Sequence, residues 1–339
     1  MVSFPPIRSL MCVLAIAIAM PSCVYDYEGD CEGDYFMRLT ILNHWSVTPK
    51  VFPEGMAYFF FPKNGGEPWR FDIPGADGGE VKVPNEAYRF VALNDDFRSV
   101  LLKDDDSYEK MEVTTVAGNL LDGAGDAVAA SESLPARSGE LDSQEVRMCP
   151  DMMWSDAMPS VVVGLDDLAY TVRHIPDGDE EMMKSRSMIL PTIMHPIVST
   201  YHFTISDVVN LNGVKRVCGA MSGLAASVNL AGYRHSSEAV TVPVGVRRVD
   251  DTTLGGEFLT FGLPSAAEVK TVLSLFVWLS DGRRINYEFD VTGQTATAPD
   301  PMNVWIRLDG LELPESEPSS GAFDVSVDTW NTIVINIYG

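Results

Sequence analysis

The sequence predicts an all-β protein made of two tandem β-sandwich domains. Its ordered-looking segments are short and rich in β-branched and aromatic residues, as in YRFVAL (88–93) and VLSLFVWL (272–279). Gly, Pro, Asn and Asp separate these segments, so that turn signals recur about every 8 to 12 residues. Short strands at such spacing are typical of a β-sandwich.

The predicted strands follow one another in two sets. In each set, alternate side chains of an extended segment share a face, and at least one of the two faces is apolar. The first set comprises residues 35–42, 56–61, 80–83, 88–93, 160–164 and 169–174. The second comprises residues 199–206, 225–230, 239–246, 256–262, 272–279, 285–291, 303–308 and 333–338.

Two connecting segments have distinct compositions. Asp281-Gly282 lies between two apolar-aromatic runs, and this dipeptide favours a tight hairpin because glycine accepts a positive φ. Residues 118–147 are dominated by Gly, Ala, Ser, Asp and Glu, so we expect a long loop that buries little.

An apolar segment followed by a cysteine stands near the start of the sequence. Residues 10–20 are apolar, follow the single base Arg8, and are too few to span a bilayer as a helix. Ser22-Cys23 comes next, and a small residue before cysteine is typical of a bacterial lipoprotein signal. We therefore predict that Cys23 carries the lipid. Its acyl chains, of the palmitate type, would suffice for stable anchoring. The alternative is a plain signal peptide, with Cys23 as a disulfide partner.

The domain organisation follows from length and composition. The 339-residue chain is long enough for two domains of roughly 150 residues each. We expect a signal peptide (1–22), an acidic lipidated leader (23–34), an N-terminal β-sandwich (35–175), a charged linker (176–191) and a C-terminal β-sandwich (192–339).

Charge and cysteine content limit the partners and cofactors. A net charge of −24 repels nucleic-acid phosphates, so we expect no nucleic-acid partner. Cys31 and Cys149 are the more plausible disulfide pair within one domain, although Cys218 is also present and spacing does not decide the pairing. No Cys/His spacing suits zinc, and we predict neither a metal site nor a cofactor.

Enzyme motifs are absent from the sequence. It contains neither HExxH nor GxSxG, and its acidic pairs are too numerous for any one pair to stand out as catalytic. We therefore predict no catalytic residues and a protein that is not an enzyme.

The tryptophans raise the question of ligand binding, because exposed aromatic rings stack on sugars. Trp69 and Trp154 lie in loop-like contexts, NGGEPWRFD and CPDMMWSD, and could face a ligand, although burial would also account for them. Trp278 and Trp305 lie within apolar strands, so we assign both to the core.

Taken together, several motifs resemble an uncharacterised lipoprotein family of Bacteroidota related to the fimbrillin superfamily, which builds and anchors type V pili. They are Cys23 with Tyr25-Asp26 and Cys31, then GMAYFFFPKNGGEPWRF, GGEVKVPNEAYRFVALNDD, CPDMMWSD, MSGLAASVNLAG, FLTFGLP, LSDGRRINYEFDVTGQ and LELPESEPSSGAFDVSVDTWNTIVINI. The resemblance extends from Cys23 almost to Gly339.

This resemblance implies transthyretin-like or immunoglobulin-like sandwiches, anchored by lipid in the outer membrane and exposed at the cell surface. It also implies fimbrial subunits as partners, joined by a donor strand, and no catalytic residues. Arg137, Arg147 and Arg186 lie in exposed-looking stretches, and none is obviously placed for removal of a first strand, which favours an anchor or accessory subunit over a shaft pilin. The alternative function is a glycan-binding surface lipoprotein that captures host or dietary glycans.

Overall fold

The structure is a computed structural model, and it describes residues 36–124, 137, 139–164, 187–266, 268–315 and 330–335. Within these ranges almost every element is a strand, which confirms the all-β prediction. The strands are β1 (Phe36–Trp45), β2 (Gly55–Pro62), β3 (Trp69–Pro74), β4 (Gly78–Pro84), β5 (Ala87–Asn94), β6 (Val100–Lys103), β7 (Glu112–Thr115), β8 (Trp154–Val162), β9 (Ser187–Pro196), β10 (Ser199–Ser206), β11 (Val214–Ala225), β12 (Ser227–Asn229), β13 (Arg234–His235), β14 (Ala239–Val244), β15 (Arg247–Arg248), β16 (Leu254–Thr260), β17 (Val272–Leu279), β18 (Arg284–Asp290), β19 (Asn303–Asp309) and β20 (Trp330–Ile335).

The first half of the chain forms a seven-stranded sheet with the order β3-β2-β5-β8-β9-β1-β4. One face of these strands encloses an aromatic-rich core that includes Tyr58, Phe60 and Phe90. The two ends of the sheet approach each other, because a side chain added at Gly79 in β4 would lie 2.9 Å from Ile73 in β3. The sheet therefore curves around its own core.

The second half forms two sheets that face each other, β15-β16-β10-β19 and β14-β11-β17-β18-β20. Their inner faces share one large core. In β10, Tyr201, Phe203 and Ile205 point inward and alternate with partly exposed residues, as expected for a strand with one solvated face. Every residue of β17 is buried, because this strand is covered on both faces.

A fourth sheet, β13-β12-β7-β6, combines strands from the two halves. In it β7 pairs with β12, so that Val113 lies opposite Val228. Both residues belong to a third core, which also contains Phe59 and Phe61 of β2 and Phe261.

The predicted boundary between residues 191 and 192 falls inside β9. This strand pairs in parallel with β1 and antiparallel with β8, so its residues on both sides of that boundary are in the seven-stranded sheet. The first part of the predicted linker lies outside the described residues. The division of the chain into two domains stays a prediction.

Segment 117–124 covers the outer face of the second half's larger sheet. Leu120 and Leu121 are buried there against Phe276 and Trp278. The predicted loop 118–147 therefore buries apolar surface in its first part, contrary to expectation.

Candidate functional site: an open sheet edge

The edge of a β-sheet can recruit another chain, because its outer backbone N–H and C=O groups have no strand partner. Within the part of the chain that the structure describes, the two facing sheets of the second half have four edges, formed by β14, β15, β19 and β20. Their environments differ, and this difference locates the candidate site.

The β14 edge is occupied by the protein's own chain. Arg147 donates its backbone N–H to the carbonyl of Thr241 at 2.9 Å, and Thr241 donates its own N–H to the carbonyl of Glu145 at 2.9 Å. Segment 145–147 thus follows β14 as a short extra strand. An incoming strand would have to displace it.

The β19 edge is occupied by a side chain. A short helix, α1 (Thr292–Ala296), carries Gln294, whose amide accepts the N–H of Arg307 at 2.8 Å and donates to its carbonyl at 3.0 Å. The backbone N–H and carbonyl of Arg307 at this edge therefore already have hydrogen-bond partners. The β15 edge is only two residues long, and both residues are arginines, features that discourage edge-to-edge pairing.

The edge strand β20 differs from the other three. It pairs in parallel with β18 over the whole of its described length, from Arg284–Trp330 to Phe289–Ile335, and it ends the order of its sheet. Its central apolar side chains are exposed, Ile333 by 44% and Val334 by 55%. Exposed apolar residues on an edge strand form a surface on which a further strand gains both hydrogen bonds and apolar contact.

The two ends of β20 fix it to the sheet. At the start, the indole of Trp330 packs edge-on against Trp278 at 5.0 Å and Phe276 at 5.8 Å between ring centroids. At the end, Ile335 packs against the inner core. The strand is thus held at both ends and exposed between them.

The predicted lipid and disulfide residues are described only in part. Cys23 and Cys31 lie outside the described residues, so lipidation and the Cys31–Cys149 disulfide stay predictions. Among the described residues Cys149 has no disulfide partner, and burial raises the pKa of its thiol to about 11. Its Sγ lies 3.4 Å from the carbonyl of Pro243.

The two predicted ligand-facing tryptophans have different environments. Trp154 is only 4% exposed, and its ring packs edge-on against Trp45 with centroids 5.2 Å apart. The expectation that Trp154 faces a ligand is therefore wrong, because the first residue of β8 enters the core. Trp69 is 40% exposed at the start of β3, and its ligand-binding role stays a prediction.

The arginines that looked exposed in the sequence include a buried one. Arg137 is only 8% exposed, and its guanidinium donates to the hydroxyls of Ser222 and Thr241. Arg147 donates to the carbonyl of Thr115 at 2.7 Å and has a side-chain exposure of 15%. Arg186 lies outside the described residues.

The described residues contain neither a metal cluster nor a membrane-spanning helix. Among the described residues, no group of three or more His, Cys, Asp or Glu side chains is arranged to hold a metal ion. The same residues contain no helix with the length and apolar character needed to cross a membrane.

Comparison with known proteins identifies relatives. A family model described as Domain of unknown function (DUF5119) matches residues 31–245. A Bacteroides ovatus protein named as a candidate fimbrium anchoring subunit, Fim4B, is 24% identical over 182 residues, which are 53% of this chain and 44% of that protein. The chain thus spans less than half the length of the curated relative it matches.

Solved structures provide a second comparison. The crystal structure of a candidate adhesin from Bacteroides ovatus matches with a TM-score of 0.58 at 20% identity, over 83% of this chain and 93% of that one. The fimbrial anchor protein Mfa2 from Porphyromonas gingivalis matches with a TM-score of 0.44 at 12% identity, over 80% of this chain and 90% of that one.

The fold defines an all-β protein that shares its architecture with the candidate adhesin from Bacteroides ovatus. Since the family model covers more than half of the chain, the protein belongs to the DUF5119 family.

Proposed function

We propose that this protein acts at the cell surface as a fimbrial anchor, accessory subunit or adhesin, and that it binds another fimbrial subunit by β-strand addition at β20. The observation that carries the proposal is the difference between the four edges. Three are occupied by the chain itself or are short and charged, whereas β20 is exposed and apolar. The relative named as a candidate fimbrium anchoring subunit supports the same role.

The proposed role is binding rather than catalysis. Strand addition obtains affinity from backbone hydrogen bonds and specificity from alternate side chains, so it needs no reactive group. Ile333 and Val334 point to opposite faces of β20, because side chains alternate along a strand. A partner strand would therefore extend both faces of this sheet.

Proline substitutions at two successive positions test this proposal. Backbone N–H groups alternate in direction along a strand, so one of Ile333→Pro and Val334→Pro removes an N–H that faces β18 and the other removes an N–H at the open edge. We expect one variant to lower the free energy of unfolding by about 1–3 kcal/mol. The other should keep its stability but co-sediment with sheared fimbriae at least tenfold less.

Each variant serves as the control for the other, since both introduce proline into the same strand. The variant that is less stable in thermal unfolding is the one whose lost N–H faces β18. Sedimentation of fimbriae from the native host then measures the assembly of both variants. Wild-type co-sedimentation of both folded variants would contradict strand addition at β20.

Anchoring in the outer membrane through lipid on Cys23 remains part of the proposal. We expect Cys23→Ala to release most of the protein from the membrane fraction into the soluble fraction, because about two or three acyl chains hold a lipoprotein stably and none would remain. Fractionation and intact-mass measurement of the mature terminus check this prediction. Cys31→Ala is the matched control, and unchanged membrane association of Cys23→Ala would disprove anchoring at this residue.

Glycan binding is the alternative function. Of the two tryptophans predicted to face a ligand, Trp69 is exposed and is a candidate for this role, whereas Trp154 is buried.

A further inference from the structure

A second tryptophan is exposed on the outer face of the sheet β15-β16-β10-β19. Trp305 in β19 is 53% exposed, more than Trp69. The residues on either side of it along the strand, Val304 and Ile306, are buried in the core. Since side chains alternate along a strand, Trp305 points away from the core, and the prediction that it is a core residue is wrong.

The indole of Trp305 is held in a fixed orientation. The imidazole of His202 in β10 stacks on it with ring centroids 4.1 Å apart and an interplanar angle of 13°. His202 is itself positioned from both sides: its Nδ1 lies 3.4 Å from Oε2 of Glu257, and its Nε2 lies 2.9 Å from Oδ1 of Asn303. A ring that is ordered before binding loses little side-chain entropy when a ligand arrives.

One face of the indole is available to a ligand. β19 is an edge strand and β10 is its neighbour in the sheet, so His202 covers the face of the indole directed toward the sheet. The opposite face points past the edge. Gln294 already satisfies the backbone of Arg307 at this edge, which makes β19 less suited to receive a strand.

The surroundings of this ring favour a sugar. Asn303 and Arg307 lie two residues before and after Trp305, on the same face of the strand and about 7 Å along it in each direction. A pyranose ring has an apolar C–H face that stacks on an indole and hydroxyl groups at its rim that take hydrogen bonds from such neighbours. The Trp305 indole can stack on the apolar C–H face of such a sugar, and the polar side chains on either side can bind its hydroxyl groups.

A protein partner is less suited to this surface. A stable protein interface buries about 800 Å² on each partner around an apolar centre. Here the neighbours of Trp305 along the outer face of β19 are Asn303, Arg307 and Asp309, all of them polar and exposed. The net charge of −24 also disfavours acidic polysaccharides.

We propose that Trp305, backed by His202 and flanked by Asn303 and Arg307, binds a pyranose unit of a neutral polysaccharide. We refer to these four residues as the Trp305 platform. The proposal adds a ligand-binding site to a surface protein and does not depend on strand addition at β20.

Affinity electrophoresis of the full chain in native gels tests the proposal. The probes are galactomannan, glucomannan, xyloglucan and soluble starch, with polygalacturonate as the acidic comparison. We expect at least one neutral polysaccharide to retard the protein. Trp305→Ala should raise the Kd about tenfold or more, and Trp305→Phe, which keeps an aromatic ring, should raise it less.

Phe52→Ala is the matched control, since it removes an aromatic ring that is 49% exposed between β1 and β2, away from Trp305, and should leave retardation unchanged. Thermal unfolding verifies that Trp305→Ala is folded, and Asn303→Ala replaces it if it is not, with an expected loss of retardation in the same gels. Failure of all the neutral probes, retardation by polygalacturonate alone, or full retardation of the folded Trp305→Ala variant would overturn the proposal. None of these outcomes bears on fimbrial co-sedimentation, so the two proposals can fail separately.

Discussion

Replacing Gly223 by alanine is expected to lower the free energy of unfolding by about 4 kcal/mol or more, which is exceptional for a single methyl group. Gly223 is the extra residue of a β-bulge in β11, between Ser222, which pairs with Thr241, and Leu224, which pairs with Val240. Its φ is +81°, and a Cβ there would lie 2.1 Å from the carbonyl oxygen of Lys270. Strain and backbone overlap therefore add.

Gly282→Ala separates these two contributions. Gly282 has a φ of +93° in the β17–β18 hairpin, and a Cβ at this position meets nothing within 4 Å. We expect this control to cost only the left-handed backbone penalty of about 1–2 kcal/mol. Urea unfolding of the two variants gives the comparison, and equal losses of stability would show that the overlap at Lys270 is relieved without cost.

Removal of the buried Arg137 is the second large effect that we expect. Its guanidinium donates to the hydroxyl of Ser222 at 3.5 Å, to the hydroxyl of Thr241 and to the carbonyl of Gln144 at 3.0 Å. Burial lowers the pKa of this side chain, whereas the carboxylates of Asp142 and Glu288 raise it. Arg137 thus connects the described residues around Gln144 to the outer face of the sheet β14-β11-β17-β18-β20.

Arg137→Met keeps the length of the side chain but removes the charge and its donors. We expect a loss of about 3 kcal/mol in the free energy of unfolding, because carbonyl and carboxylate groups beside Arg137 lose a buried partner. The side chain of Gln144 accepts the N–H of Gly223 at 3.0 Å, so segment 139–148 should also open more often. Faster cleavage by Glu-C protease at Glu145 would report this opening.

Arg248→Met is the matched control for Arg137→Met. Arg248 also makes several hydrogen bonds, to Asp250, Asn212 and Asp251, but its side chain is 40% exposed. Exposed pairs of this kind contribute about 0–1 kcal/mol. Comparable stability losses in the two variants would contradict the role assigned to Arg137.

The positions of several strands were predictable from the sequence, because local alternation records which side chains enter a core, whereas β3, β6, β7, β9 and most of β11 were not expected. STYHFTIS alternates buried and partly exposed residues along β10, as expected for one solvated face. The same rule applied to NVWIRLD would have placed Trp305 outside, since Val304, Ile306 and Leu308 occupy the inner face. The error came from weighing the apolar character of tryptophan above its position in the alternation.

Features that depend on long-range pairing were not predictable. Arg137 looked like an ordinary loop residue, and its burial depends on hydroxyls 85 and 104 residues away in the sequence. The final strand was expected at residues 333–338 and is described at Trp330–Ile335, but nothing local indicates that it forms a sheet edge. Whether a strand lies at a sheet edge depends on the order in which the strands pair, and this order is set by contacts between residues far apart in the sequence.

Site-specific photo-cross-linking on cells tests the central claim most directly. A photoactivatable side chain replaces Asn331, Ile333 or Val334 in β20, and Val249 serves as the control because its exposure is 58%, close to the 55% of Val334. The proposal predicts cross-links from all three β20 positions to one extended segment of another fimbrial subunit, in consecutive register, and none from Val249. Absence of intermolecular cross-links from β20 in cells that assemble fimbriae, or cross-links of equal yield from Val249, would contradict it.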